Sequence, residues 1–545
     1  MTISIYRARR IITMNPARPY ATHVAVRNGL VLGTGDPGEL GRWGSCKLDD
    51  RFADKVLMPG FVEAHTHLSE GMNWRHVYCG FHDRMDPAGY TWPGAHDLGA
   101  VLQRLRDALG ADTGGDKPLI GWSFDPIYFP GAGRCTRQDL DTVSATRPVL
   151  LLHASGHIIN ANTPALAMAD FMRAGINHPG IPLGADGLPA GEMKGPDAMT
   201  PVLQRQGLFK GDVDAHAMWD FSRLCVRKGV TTATDLANPL PSSVLEVMLA
   251  TSADAAFPTR LVPVARGNGR AVVELVQTAL NHRELSTDML RLGGIKIVAD
   301  GSIQGFSARL KPPGYFNGAP QGLWYLTPEW MRSLYGEALR HGLQVHTHTN
   351  GDMATELALD CVERSLQAHH QPDHRFVLQH CQLADAAQFR RMKALGMCVN
   401  LFANHHYYWG DAHYNLTVGP DRAESMNACR TAMNTGVPFA IHSDAPVTPM
   451  GPLFTAWCAV NRMTSGGRQL GDYERIDVVD ALRAVTLGAA YTLKLDGELG
   501  SIETGKRADF AVLDDDPLAV PPEALRDVGV WGVVQGGRVF PASTL

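Results

Sequence analysis

Both ends of the chain carry short apolar runs with strand periodicity. Residues 3–14 mix alternating and continuous apolar positions, and 23–32 hold two short apolar runs around Asn28-Gly29. That dipeptide favours a two-residue hairpin turn, because both central residues must take positive φ. The far end repeats the pattern: 508–513 reads as a strand, and 530–540 as a hairpin turning at Gly536-Gly537. Two β-rich ends around a long middle predict one small β-sandwich domain, assembled from residues 1–57 and 497–545.

In the middle, short apolar runs alternate with stretches of helical periodicity. Strands are predicted at 56–67, 148–153, 229–235, 260–264, 292–299, 344–348, 375–380, 397–401 and 438–443. Helices fall between many of them, as at 98–109, 215–227 and 328–341. Such alternation marks βα units on a mainly parallel sheet. Over 58–496 it predicts an α/β fold, a (β/α)8 TIM-like barrel. Gly/Asp-rich residues 110–116 and residues 180–195 read as loops. Gly33-Thr34-Gly35-Asp36-Pro37-Gly38 has the spacing of a dinucleotide-binding loop, but Gly41 and Gly44 interrupt whatever helix follows, so it reads as a plain turn.

Composition narrows the function classes. The 545 residues are 45% hydrophobic and 19% charged, enough to build a core without disulfide staples. A net charge of -5 and the lack of a basic run argue against a nucleic-acid partner. Nine cysteines are scattered with no C-x-x-C, which reads as reduced thiols. No stretch is apolar for the ~18 residues of a membrane span, and the first residues lack a signal-peptide pattern. A cytoplasmic protein, a homodimer on base rates, is the expectation.

The 22 histidines direct attention to particular strand ends. Met58-Pro59-Gly60-Phe61-Val62-Glu63-Ala64-His65-Thr66-His67 is an apolar strand ending in H-x-H. Residues i and i+2 of a strand share a face, so both imidazoles can reach one ion. At the C-terminal end of a barrel strand they open into the site-bearing face. Lys296, His346-Thr347-His348, His380 and His442-Ser443-Asp444 each stand at or near the end of another predicted strand.

The order H-x-H, strand lysine, His, His, Asp resembles the amidohydrolase superfamily. The local wording is similar to its YtcJ-like, amidohydrolase-3-type branch: K-x-x-x-D-G-S at 296–302, H-x-x-G-D at 348–352, S-D-A-P-V at 443–447 and G-S-I-E-x-G-K-x-A-D-F at 500–510. The resemblance spans nearly the whole chain. It implies that His65, His67 and Asp444 hold a first metal, and that His348 and His380 hold a second or complete a mononuclear site. Lys296 would be carboxylated and bridge two metals. The cofactor would be zinc, one or two ions, or another divalent metal, since imidazole and carboxylate ligands suit zinc and leave a position for water. His346 and His442 read as neighbours of the ligands.

The resemblance further implies a small-molecule substrate and a C–N hydrolase acting on an amide such as an N-acyl or N-formyl compound. Asp444 would be general base and then acid. A deaminase or a lactonase would use the same ligands, and a catalytically inactive scaffold barrel would have lost them. His157, at the family's G-H position, is a candidate oxyanion donor or a loop-ordering residue. Trp122 and Phe124 either line the pocket or pack the rim. Asn404, in the aromatic segment 404–409 taken as a loop, suits a planar ligand or an oligomer interface. Arg462, in a predicted helix, pairs with a substrate carboxylate or makes a structural ion pair. The chain departs from the family at 301–309, where Phe306 is present and the arginine is displaced to Arg309.

Overall fold

The computed structural model describes residues 3–111, 115, 117–129, 134–208 and 213–545. Eight parallel strands curl into a barrel in chain order. They are β1 (Phe61–Glu63), β2 (Val230–Asn238), β3 (Arg260–Arg266), β4 (Gly294–Val298), β5 (Val345–Thr349), β6 (Val377–His380), β7 (Cys398–Leu401) and β8 (Phe439–Ile441). The barrel closes where Thr66 bridges Ala445, with Asp444 N donating to His65 O at 3.1 Å and His67 N to Ala445 O at 2.8 Å. Closure therefore brings the H-x-H motif and the S-D-A-P motif side by side.

The apolar run expected as one strand over 56–67 is divided. Cys46–Pro59 belongs to the terminal sheet, and β1 begins only at Phe61. Gly60 makes the turn between them, and a Cβ there would lie 2.0 Å from Thr231 Oγ1. The terminal sheet is a single mixed sheet of seven strands drawn from both ends of the chain. Asn28 and Gly29 take φ of 56° and 76° in the first hairpin, and Gly536 and Gly537 take 55° and 78° in the last. The sheet curls on itself: Tyr6 Oη donates to Gly537 O at 2.6 Å, and Val31 N to Lys506 O at 2.9 Å. Tyr6, Phe52, Phe510 and Val512 fill the space enclosed. Residues 33–38 end an antiparallel strand and enter a one-turn helix, Pro37–Leu40, not a βαβ unit.

A third sheet was not expected. Val77–Tyr78, Leu119–Phe124, Val149–His153, Ile158–Ala161 and Glu192–Lys194 form five strands inserted between β1 and β2. The strand predicted at 148–153 therefore joins this insertion and not the barrel. A short apolar run records burial and says nothing about which sheet receives it. Residues 180–195 end in the edge strand of this sheet. The loop expected at 110–116 falls mostly outside the described residues, with Gly110 and Ala111 closing helix Leu98–Ala111.

Helices Ala215–Arg227 and Pro328–His341 stand where the periodicity placed them. The aromatic segment after β7, expected as a loop, is a helix, His405–Ala412. The nine cysteines carry no disulfide, and only Cys46 is exposed. Among the described residues no helix is long and apolar enough to cross a membrane.

Candidate metal centre

The chemistry-bearing side chains project from the C-terminal ends of the barrel strands. His65 and His67 follow β1, Lys296 lies on β4, His346 and His348 on β5, His380 ends β6, and His442 and Asp444 follow β8. Parallel register sets their levels: Lys296 pairs with His346, Val298 with His348, and Thr349 with His380. His380 and Asp444 both adopt left-handed backbone, with φ of 71° and 55°. Such conformations cost non-glycine residues about 1–3 kcal/mol each and concentrate at functional sites.

Asp444 is the hub. Its Oδ1 lies 3.3 Å from His65 Nε2 and 3.2 Å from His67 Nε2, and its Oδ2 lies 3.6 Å from His380 Nδ1. Ligand atoms of His65, His67 and Asp444 converge as one group of three, and those of His65, His380 and His442 as another.

The hydrogen bonding of His65 tells what these contacts are. Its Nδ1 lies 2.7 Å from Gln379 Oε1, which can only accept, so Nδ1 carries the proton. Nε2 then offers a lone pair to a carboxylate oxygen that offers another. Burial holds the His65, His348, His380 and His442 pKa values well below the usual imidazole range, with neighbouring cations and imidazoles adding to the effect. A neutral His65 does not form an ion pair with Asp444. Two facing acceptors are stable at this distance when a proton or a metal ion is shared between them, and the convergence of His67 on the same Asp444 oxygen favours a metal ion. His380 Nδ1 and both ring nitrogens of His442 are buried without a hydrogen-bond partner, as unliganded donors would be. The residues present fit a divalent metal ion.

Lys296 Nζ is likewise buried and unpartnered, and burial pushes its pKa down to about 7 while Asp444 partly restores it. Desolvation raises the Asp444 pKa, opposed chiefly by the His67 hydrogen bond. His348 lies beside the two converging groups: its ring centroid is 4.5 Å from His380, and its Nε2 is 3.1 Å from Asn350 Nδ2. His346 Nδ1 accepts from Gln379 Nε2 at 2.9 Å, which makes it a buttress of the site. His442, expected as a neighbour only, comes within ligand reach; its ring is sandwiched between His65 at 4.6 Å and Phe402 at 4.8 Å.

A cavity of about 410 Å³ opens over these residues, with His65, His67, His157, Lys296, His348, His380 and Asp444 in its wall. Its remaining lining is largely apolar and includes Met72, Trp122, Leu152, Met199 and Leu203. Trp122 and His157 both come from the inserted sheet or its loops. Burial pushes the His157 pKa down to about 4, with Lys296 and Arg266 contributing, and its ring centroid is 5.0 Å from His348.

Three expected substrate residues lie elsewhere. Phe124 stacks on Phe129 at 5.6 Å within the core of the insertion. A bulge explains this: Ser123 takes φ of 69° and the pairing with the neighbouring strand shifts register between Leu151 and His153, so Trp122 and Phe124 lose the common face that regular alternation would give them. Asn404 is fully buried and donates to Thr448 Oγ1 at 2.8 Å, tying the start of its helix to the loop after Asp444. Arg462 ends helix Pro452–Asn461 in left-handed conformation. Its guanidinium donates to the carbonyls of Leu470, Asn427, Glu424 and Met426 at 2.6–3.2 Å. Arg462 thus organises backbone, its buried guanidinium spent on four carbonyls away from the cavity wall. Arg309 likewise leaves the site, donating to Gly322 O at 3.0 Å beneath Trp324.

Two contributors had no sequence signal of their own. Gln379 was hidden beside His380. Arg84 is buried on the face of Trp122, 4.9 Å away, and donates to Glu70 and to Pro446 O at 2.9 Å, so it braces the Asp444 loop against the cavity wall.

The family model for the amidohydrolase family matches residues 53–541. "Putative amidohydrolase YtcJ" of Bacillus subtilis (strain 168) is 28% identical over 553 residues, covering 98% of this chain and 99% of that protein. The N-substituted formamide deformylase of Arthrobacter pascens is 26% identical, over 87% of this chain and 86% of that protein. The crystal structure of an uncharacterized metal-dependent hydrolase from Pyrococcus horikoshii OT3 superposes with a TM-score of 0.72 at 19% identity, covering 96% of this chain and 99% of that one. That structural likeness is one of fold.

Proposed function

This chain belongs to the amidohydrolase family, and on that premise we propose that it hydrolyses a C–N bond of an amide-type small molecule. His65, His67 and Asp444 would hold one divalent ion, with His380, His348 and Lys296 completing the site or holding a second. Zinc suits a donor set of imidazoles and a carboxylate. When bound, such an ion supplies a Lewis acid that polarises a carbonyl and lowers the pKa of water toward neutrality.

The residues do the rest. Asp444, at the centre of the site, takes the proton of the attacking water and returns it to the departing nitrogen, which leaves poorly unless protonated. His157 faces the same cavity and can donate to the carbonyl oxygen as it gains charge. Trp122 and the apolar wall hold the non-reacting part of the substrate and exclude water. A neutral Lys296 amine is a nucleophile for carbon dioxide; its addition forms the N–C bond of a carbamate and releases one proton. Burial favours that chemistry by disfavouring the ammonium form.

The single observation that carries the reading is the convergence of His65, His67 and Asp444 ligand atoms on one point, with His65 Nε2 3.3 Å from Asp444 Oδ1. The relative named as an N-substituted formamide deformylase supports an N-formyl or other N-acyl amide as the substrate class. The test is elemental analysis of the purified protein beside a His65→Ala/His67→Ala variant, followed by assay on a panel of N-formyl and N-acyl amides with amine detection. Bound zinc that is lost in the variant, with amine release by wild type alone, is the expected result. A protein that takes up no metal when expressed with added zinc and bicarbonate refutes the reading.

A further inference from the structure

The aromatic segment after β7 places a second histidine system against the site. Helix His405–Ala412 passes directly into a π-helical turn, His413–Thr417. Such turns are uncommon and recur at functional sites. Here the turn sets His413 between two partners. Its Nε2 lies 2.8 Å from His405 Nδ1, and its Nδ1 lies 2.7 Å from Thr417 Oγ1. The His405 and His413 rings stack at 4.8 Å with 10° between their planes, and Trp409 stacks on His405 at 4.5 Å. All three members of the chain are buried. Thr417 is fixed in turn, its carbonyl accepting from Phe316 N at 2.8 Å.

With Nδ1 engaged, Nε2 is the ring nitrogen of His405 not taken by His413, and the residue lines a small cavity together with Asp444, His380, His348 and His157. That cell has a volume of about 20 Å³, room for one group the size of a water molecule. The Thr417–His413–His405 chain contains no charged group and has two self-consistent proton arrangements. When His413 Nδ1 donates to Thr417 Oγ1, His405 Nδ1 donates to His413 Nε2, and His405 Nε2 is left as an acceptor. The reverse arrangement leaves Nε2–H.

The reaction favours the first arrangement. The nitrogen that receives the proton lies on the Asp444 side of the site, and an amide N–H buried there requires an acceptor. Both Asp444 oxygens are already within 3.6 Å of histidine nitrogens. His405 shares the cell with Asp444, and in the first arrangement its Nε2 keeps an unspent lone pair.

We propose that His405 is a further catalytic residue, whose Nε2 accepts a hydrogen bond from the N–H of the scissile amide, and that His413 and Thr417 are positioning residues that hold its tautomer. The proposal rests on the amide-hydrolase reading above. Its consequence is orientation: an N–H fixed on His405 turns the nitrogen lone pair toward Asp444 as the carbonyl carbon becomes tetrahedral.

The test compares matched substrates, a secondary formamide and the formate ester of the corresponding alcohol, on wild type, H405F, T417V and T417S. Zinc content and melting temperature are recorded for each. In H405F, kcat/KM for the amide falls about 10- to 100-fold, the scale of one lost charge-free catalytic hydrogen bond, while ester hydrolysis changes less than threefold. T417V, near-isosteric and remote from the substrate, gives a smaller loss in the same direction, mainly in kcat, and T417S restores it. Equal loss on amide and ester, or wild-type amide hydrolysis in H405F and T417V, overturns the proposal while leaving the hydrolase reading intact. A wild type that binds zinc yet hydrolyses no amide in the panel overturns both.

Discussion

Replacing Gln379 by leucine tests whether the site is aimed by its buried hydrogen bonds. Gln379 is fully buried. Its Oε1 accepts from His65 Nδ1 at 2.7 Å and from Asn400 Nδ2 at 3.0 Å, and its Nε2 donates to His346 Nδ1 at 2.9 Å. Leucine has nearly the same volume, so no large cavity opens. Three buried polar groups lose their partner, each at about 1–3 kcal/mol, and the melting temperature drops accordingly. The more informative change is in metal affinity. Without an acceptor at Nδ1, the His65 ring is free to rotate or change tautomer, and Nε2 is no longer held toward Asp444. Loss of such a supporting bond weakens metal binding about 10- to 100-fold, or about 1.4–2.7 kcal/mol. The assay is competition for zinc against a chromophoric chelator at neutral pH. Gln379→Glu is the control, because it keeps an acceptor for both His65 and Asn400 and retains more of the affinity. A leucine variant that binds zinc as tightly as wild type would show that Gln379 does not set the His65 tautomer, and the metal assignment built on that tautomer would fall with it.

Asp444→Asn lowers kcat/KM on any turned-over amide by about 10²- to 10⁴-fold; a variant within tenfold of wild type refutes its role as proton carrier. Lys296→Met abolishes the mass increment of one carbon dioxide that native mass spectrometry of wild type is expected to show, and wild type without that increment refutes the carbamate. Arg462→Ala strands four backbone carbonyls and lowers the melting temperature by an amount equivalent to about 1–3 kcal/mol or more, while the folded fraction keeps its KM; a selective rise in KM would return Arg462 to the substrate site. Burial pushes His153 and His157 down to about 4 and His346 down to about 3. Each therefore binds a proton more readily unfolded than folded, so the stability of metal-free protein is full above about pH 6.5 and lost as pH falls toward those values. A melting temperature unchanged across that interval contradicts the burial of neutral imidazoles.

The barrel and the gathering of His65, His67, His380 and Asp444 at one end of it were legible because alternation carries both burial and direction. In Val345–Thr349 the two histidines share the inward face, and every neighbouring strand repeats the same geometry. The hairpins at Asn28-Gly29 and Gly536-Gly537 were legible for a local reason, positive φ. The insertion was not. Leu150 and Leu151 are both fully buried, so their strand reads like a barrel strand, and only tertiary pairing with Leu119–Phe124 and Ile158–Ala161 assigns it elsewhere. Arg462 misled for a related reason: a buried arginine has the same letter whether it meets a carboxylate or four carbonyls. His405 was read as part of an aromatic loop because nothing local announces that its Nδ1 is taken by a residue eight positions on.

The insertion divides the work of the site in a way that bears on substrate choice. Every candidate ligand comes from a barrel strand or the four residues after it. Trp122 and Leu152 come from the inserted sheet, His157 from the turn joining two of its strands, and Met199 and Leu203 from the helix that follows its edge strand. The barrel side is anchored by closure between Thr66 and Ala445 and by backbone that is already strained at His380 and Asp444, so it has little freedom to adapt. The inserted side is apolar and packs around its own small cores. Changes in wall shape there alter which substrate fits without moving a ligand. Replacing Met199 or Leu203 with alanine should therefore shift the preferred size of the amide substituent and leave zinc affinity unchanged. An altered zinc affinity in those variants would mean that the two sides are mechanically coupled, and that Arg84, which joins Trp122 to the Asp444 loop, carries the coupling.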